Sequence, residues 1–227
     1  MPATALVLAP PLRAGERLTR DEFLRRWDAM PALKRAELIN GVVQMASPVG
    51  QAHRRFTHLM NAWLAYYEMA TPCVETGNGG TWLMSDLDVP QPDLDLRILP
   101  AAGGQSRDEG IYPAGAPELI VEISESTHSK DAGEKLRLYE RHGVREYLVI
   151  RPRRRQLTWR VLVRRKYTEL APAKNGFYRS RVFPGLWLDP AALWKQDLAG
   201  LAAAVQAGVA TLDHARFIHE LARRGRA

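Results

Sequence analysis

The sequence predicts an α/β fold in which a mixed central sheet is flanked by helices, and three observations carry that reading. Residues 119–123 are almost wholly apolar, as a central strand is, and residues 146–150 form a second such run. Between them, residues 132–142 read as roughly three helical turns stopped by Gly143. Strand, helix and strand with short links make a parallel crossover, right-handed by the usual rule, with the helix laid over the sheet. Upstream, Phe56, Met60, Trp63, Leu64 and Tyr67 recur at helical spacing. Residues 53–69 are therefore expected to form an amphipathic helix whose apolar stripe faces a sheet.

The remaining elements follow in chain order. Residues 5–11 are apolar, but they lack a basic leader and are far shorter than a bilayer span, so they read as a loose start rather than a signal. Thr19 with Glu22 three residues on predicts a capping box before a short helix over 23–27. Residues 36–39 and 42–46 are short strands joined by Asn40-Gly41, the pair that best tolerates a tight hairpin turn. Residues 74–76 and 81–84 flank Gly77-Asn78-Gly79-Gly80, a cluster suited to a hairpin or loop. Residues 92–99 alternate Leu94, Leu96 and Ile98 with Asp93, Asp95 and Arg97, the pattern of a half-buried strand. Residues 100–117 are rich in Gly, Pro and charge and are expected to be a long exposed loop. Asp131, with Glu134 three residues on, is expected to start the crossover helix. Residues 157–163 and 167–170 look like basic outer strands, and Phe183-Pro184-Gly185 leads into an apolar return through Leu186, Trp187 and Leu188. Residues 199–224 read as an Ala-rich helical tail. Its Leu201, Val205, Val209 and Leu212 make an apolar stripe that its own core or another chain must cover. On that ground self-association through this tail is expected.

Composition narrows the chemistry. With one cysteine, Cys73, the chain has neither a disulfide framework nor a Cys-based zinc site, and its six histidines show no zinc-type pairing beyond a weak His214/His219. A metal, if held, is held by carboxylates. A cytoplasmic location with no membrane partner is the default expectation. The formal charge of +7 is concentrated: residues 151–181 carry eleven Lys or Arg against Glu169 alone, a segment charge of +10. Such a block attracts a polyanion by releasing its counterions, which makes nucleic acid the expected partner, with Arg153, Arg154, Arg155, Arg164, Arg165 and Lys166 as candidate contacts.

Glu122 is the conspicuous residue, because a carboxylate inside an apolar strand is costly unless a cation, a metal or hydrogen bonds compensate it. Asp93 stands at the start of the alternating run, and Lys135 lies in the first turn of the crossover helix, near the end of the strand that carries Glu122. Two carboxylates at neighbouring strand ends can hold a hard divalent cation, and a lysine beside them can orient water or neutralise charge building on a phosphate. A magnesium-dependent phosphodiesterase needs that combination. Tyr139, one turn beyond Lys135, could orient it.

Five segments then come together in order: E-L-I-N-G (37–41), Q-P-D (91–93), E-L-I-V-E-I-S-E-S-T (118–127), D-A-G-E-K-L-x-x-Y (131–139) and G-V-R-E-Y-L-V-I (143–150). Their order and spacing over residues 33–190 resemble the Uma-type family of “putative restriction endonucleases”, within the PD-(D/E)xK nuclease superfamily. The resemblance implies a restriction-endonuclease-like core of the order αβββαβ, and Mg²⁺, or Mn²⁺ in its place, held between Asp93 and Glu122. It also implies a lysine that has moved from the superfamily position, here Ser124, to the following helix as Lys135. Glu37 matches the family's upstream acid and His53 a histidine at the start of the first core helix. The chain departs from the family at Glu125 and at Val42, where Glu125 is expected to point away from the Glu122 face. The implied organisation is an N-terminal extension over 1–32, a nuclease domain over 33–195 and the helical tail over 196–227. That self-association through the tail makes a homodimer is likewise what the resemblance implies.

Three function classes are thus in play. The first is a metal-dependent endonuclease hydrolysing phosphodiester bonds, with DNA as the substrate. The second is a non-catalytic nucleic-acid-binding protein on the same fold, which the basic segment alone would support. The third is a two-carboxylate glycosidase, which would call for an aromatic sugar cleft and has no need of a +10 segment.

Overall fold

The computed structural model of the chain describes residues 9–45, 48–124 and 129–225. Helix α1 (Arg20–Asp28) buries Phe23 beneath a small cluster with Leu12, Leu38 and Val43. The anticipated capping box does not form. The Thr19 side chain makes no cap bond, and Glu22 is taken by Arg25 at 2.8 Å and by Arg26, charged partners on its own helix face. Strands β1 (Ala36–Ile39) and β2 (Val42–Met45) make the predicted hairpin. Asn40 and Gly41 both have positive φ, 51° and 73°, as a type I′ turn requires. Ala46 lies outside the described residues.

Helix α2 (Gln51–Ala70) is followed by β3 (Val74–Asn78) and β4 (Leu94–Ile98), which pair antiparallel. Residues 81–84 are not a strand opposite β3. The Trp82 and Met84 N–H groups donate instead to Pro90 and Asp88 on the approach to β4, while the Leu83 N–H donates to Pro113 and its carbonyl accepts from Gly115. Nor is the loop over 100–117 wholly exposed: it holds a 3-10 turn (Pro100–Ala102) and a hairpin of β5 (Arg107–Glu109) with β6 (Tyr112–Ala114), burying Ala102, Ser106, Ala114 and Ala116. Then come β7 (Leu119–Ile123), α3 (Ser129–His142) and β8 (Glu146–Arg151).

Helix α3 starts at Ser129, two residues ahead of the expected Asp131, and Glu134 serves another purpose: it accepts hydrogen bonds from Asn40 and Gln44, tying the β1–β2 hairpin to α3. Gly143, at φ 79°, ends the helix as anticipated. A 3-10 turn (Pro152–Arg154) leads to β9 (Gln156–Val163) and β10 (Lys166–Glu169), and β11 (Tyr178–Arg179) pairs with β12 (Trp187–Leu188).

The main sheet runs β10-β9-β8-β7-β4-β3, and its only parallel pair is β7 with β8, as the crossover demands. Strand alternation divides the core. Leu94, Leu96, Ile98, Leu119, Val121 and Ile123 pack with the α2 stripe of Phe56, Met60, Trp63, Leu64 and Tyr67. Ile120, Tyr147 and Val149 face Leu138 and Tyr139 of α3. The sequence α2-β3-β4-β7-α3-β8 is the predicted αβββαβ order, with β5 and β6 as an insertion. Strand β4 is not half-exposed, since Asp93 and Asp95 are also buried beneath the second layer.

After a short α4 (Pro190–Lys195), the tail expected over 199–224 is two helices rather than one, α5 (Leu198–Val209) and α6 (Leu212–Arg224). Helix α5 packs on α2, and Leu201 and Val205 are buried in the α2 side of the core with Val209 beside them. That part of the stripe is covered by the chain itself, whereas Leu212 is 75% exposed. No helix among the described residues is long and apolar enough to cross a membrane.

Candidate active site

Glu122 is the fourth residue of β7, and alternation turns it away from α2 toward α3. In the antiparallel register, Asp95 faces Ile120 and Leu94 faces Val121, so one further step of the same register sets Asp93 opposite Glu122, on the same side of the sheet. The Ile123 backbone N–H donates to Asp93 Oδ2 at 2.9 Å and anchors that carboxylate at the strand end. The two acids thus come from adjoining strands, and their side chains share one face.

Lys135 reaches back from the second turn of α3. Its Nζ lies 2.9 Å from Glu122 Oε1 and 3.0 Å from Glu37 Oε1, bridging β7 to β1. The Tyr139 hydroxyl, one helical turn on, donates to the same Glu122 Oε1 at 2.8 Å. Glu37 is held from the other direction by the Gln91 backbone N–H at 2.7 Å. His53, near the start of α2, places Nε2 3.0 Å from Asp93 Oδ2, while its Nδ1 is 3.3 Å from Thr57 Oγ1. The five predicted residues thus form two bonded groups, Lys135 with Glu122 and Glu37, and His53 with Asp93, close enough for their charges to act on one another.

Arg35 joins them unannounced by the sequence, its guanidinium 3.5 Å from Asp93 Oδ1. A lone basic residue ahead of a strand carries no pattern that marks it. Tyr139, expected to orient Lys135, bonds to Glu122 instead.

The electrostatics are those of crowded negative charge. Burial pushes the Glu122 carboxyl up; Lys135 draws it down, while Asp93 and Glu37 push it further up. Burial also raises Asp93, but the His53 contact, the Ile123 N–H and the positive charge of Lys135 outweigh it and hold that carboxyl below its ordinary range. Lys135 is largely withdrawn from solvent, which favours losing its proton, yet Glu122 and Glu37 together hold the ammonium firmly protonated. Asp95, fully enclosed with the Trp82 indole N–H as its donor, is pushed up to about 6 by burial and stands behind this group in the strand.

The donor set fits a hard divalent cation. Both bonds to Glu122 land on Oε1, and among the described residues nothing is bonded to its Oε2. Asp93 keeps Oδ1 clear apart from the 3.5 Å approach of Arg35. Among the described residues no group of three or more His, Cys, Asp or Glu is arranged to hold a metal. A hard divalent cation held through two carboxylates would complete its shell with water and substrate oxygens.

The basic segment behaves differently from its reading as one block. Arg153, Arg154 and Arg155 lie on the turn after β8, at the sheet end where β7 terminates. Arg164 and Arg165 make the β9–β10 turn at the opposite end, and Lys166 is paired with Glu140 at 2.9 Å. At about 3.3 Å per residue the two groups are separated by roughly 25–30 Å along β9. Only the first group lies at the end of the sheet to which β7 carries Glu122.

This arrangement coincides with a match between residues 20–191 and the model of the Uma2 family, described as “Putative restriction endonuclease”. The chain belongs to the Uma2 family. Its fold also matches a crystal structure described as a putative nuclease belonging to DUF820 from Anabaena variabilis ATCC 29413. The TM-score is 0.58 at 16% identity, covering 79% of this chain and 98% of that one. At that identity the likeness speaks for the fold. No curated protein matches in sequence. Within the Uma2 match fall Glu37, His53, Asp93, Glu122 and Lys135, and the whole sheet that positions them.

Proposed function

We propose that this Uma2 protein is an Mg²⁺-dependent endonuclease that hydrolyses phosphodiester bonds in DNA at the Asp93/Glu122 cluster, with Mn²⁺ able to replace Mg²⁺. The observation that carries the reading is the pairing of Asp93 and Glu122 on one face of adjoining strands, with Lys135 bridged beside them. When bound, the cation supplies Lewis-acid polarisation of the phosphate and a more acidic water. The rest is done by the chain. Asp93 and Glu122 offer Oδ1 and Oε2 as hard oxygen ligands. His53 and the Ile123 N–H keep Asp93 ionised and aimed. Lys135, kept protonated by Glu122 and Glu37, presents fixed positive charge where negative charge accumulates on the phosphate oxygens, and a pre-organised cation there needs no rearrangement as the transition state forms. Glu37 holds Lys135 in place, and Tyr139 holds Glu122.

The test pairs turnover with a direct metal readout. Purified protein is incubated with DNA and RNA in Mg²⁺, Mn²⁺ or chelator, and Mn²⁺ binding is followed by calorimetry in wild type and Glu122→Gln. Divalent-dependent cleavage, with Mn²⁺ binding lost in the variant, is the expected result. Wild type that binds nucleic acid but cuts none of it in either metal overturns the enzymatic reading in favour of a binding protein on the same fold.

A further inference from the structure

On the α2 side of the sheet, outside the carboxylate cluster, lies a groove of about 530 Å³, within the size range of small-molecule sites. Leu157, Tyr178 and Trp194 supply its apolar lining, and Arg154 and Arg155 stand at its mouth. Trp194 is only partly buried. One edge of it packs on Phe56, with centroids 5.7 Å apart, and the Arg155 guanidinium sits 5.8 Å from its ring centroid. Tyr178 is backed by Trp159 in a stacked arrangement at 6.2 Å, which fixes its ring plane. Arg155 holds a left-handed backbone conformation at φ 47°, a strained placement for a non-glycine residue.

The groove is joined to the site by α2. His53, on Asp93, and Phe56, against Trp194, are three residues apart and so adjacent on one helix face. Arg55 reaches Gln196 just past α4, and α2 also touches the turn that carries Arg153 and Arg154. Through His53 and Phe56, one face of α2 thus links Asp93 to Trp194.

We propose that this groove binds an unpaired nucleotide flanking the scissile phosphate, its base stacked on Trp194 and Tyr178 and its phosphate met by Arg154 and Arg155. Partly exposed aromatic rings beside guanidinium groups are the combination that single strands use, since every base presents a π-face and every nucleotide a charge. A paired base has no free face to offer. The proposal rests on the nuclease reading for the identity of the polymer, and it makes the protein selective for frayed, gapped or single-stranded stretches near the cut.

The experiment measures binding in chelator, where no cleavage occurs, using a fluorescein-labelled oligothymidylate and a blunt duplex, with fluorescence anisotropy as the readout. Trp194→Ala is expected to weaken oligothymidylate binding on the order of tenfold or more and to leave the duplex unaffected, while Trp194→Tyr restores it. Arg154→Glu with Arg155→Glu, both exposed and unable to disturb the core, should flatten the salt dependence for the single strand by about 0.7 in log–log slope for each phosphate no longer neutralised. Equal loss on duplex and single strand, or unchanged single-strand affinity in both the tryptophan and the arginine variants, overturns the proposal. Failure of the nuclease reading shows separately, as a wild type that binds oligothymidylate through Trp194 and does not cut it in Mg²⁺ or Mn²⁺.

Discussion

A lysine wedged between two acids has two tasks to choose from, and at Lys135 they separate by experiment. As a structural cation it would matter for folding; as a catalytic one it would matter for rate. Its ammonium is 2.9 Å from Glu122 and 3.0 Å from Glu37, and each proposed metal ligand has a further anchor, Tyr139 on Glu122 and the Ile123 N–H with His53 on Asp93. Lys135→Ala is expected to retain Mn²⁺ affinity and nucleic-acid binding while cleavage falls by about 100- to 1,000-fold, the usual effect of removing one transition-state charge stabiliser. Single-turnover rates with calorimetry check it, and a variant that cuts at the wild-type rate rejects the role. Arg35→Ala is expected to weaken cleavage as well, by loosening Asp93, with Mn²⁺ affinity little changed. At this scale the sequence was legible wherever a residue broke a pattern. Glu122 interrupts an apolar strand, and Lys135 and Tyr139 sit one turn apart on the helix that must cross over it. Arg35 breaks nothing, and only the fold brings it to Asp93.

Elements add their own constraints. Helix α3 is fastened at its ends by different devices: near its start Glu134 holds the β1–β2 hairpin through Asn40 and Gln44, and past its last turn Gly143 takes φ 79°. Gly143→Ala forces a side chain into that left-handed conformation and is expected to cost about 1 kcal/mol, read as a lower urea midpoint. The periodic elements were readable because packing on a sheet enforces their period: β7, β8 and the β1–β2 turn lie where expected, and α2 extends only slightly beyond its expected bounds. The misread stretches were those where non-local partners decided. Glu22 answered to two arginines rather than to a helix cap, and residues 100–117 gained a hairpin because Leu83 and Ala114 pair across the chain. The Ala-rich tail broke after Val209, where Thr211 caps a new helix by accepting from the His214 N–H. Charge counting along the sequence could not show that β9 carries its arginines to opposite ends of the sheet. Consequently Arg153→Ala with Arg154→Ala is expected to weaken nucleic-acid binding more than Arg164→Ala with Arg165→Ala does, as measured by anisotropy at matched salt.

For the molecule as a whole, acid stability draws on a buried carboxylate outside the candidate site, Asp88. Asp88 receives His142 at 2.9 Å, Arg141 at 3.0 Å, the Asn40 N–H at 2.8 Å and Ser85 at 3.0 Å. Burial alone would raise its carboxyl, but His142 and these other donors outweigh it and hold it well below the usual carboxylate range. A carboxyl depressed on folding contributes its full stabilisation above the unfolded value and loses it as pH falls through the folded one. Asp88→Asn is therefore expected to be less stable than wild type near neutral pH, with the gap narrowing below about pH 4, as urea titrations at the two conditions would show.

The site also has a history within each round of synthesis. Its parts are scattered from Glu37 to Lys135, and β7 gains its parallel neighbour only when β8 is complete at Arg151. A chain emerging from the ribosome displays Glu37, His53 and Asp93 long before Glu122 has a sheet to sit in. Until the crossover closes, the acids are separate solvated side chains with no shared ion and no fixed lysine. On the proposed function, the topology delays assembly of the site beside the nucleic acid of the translation machinery until the fold that restrains it is in place.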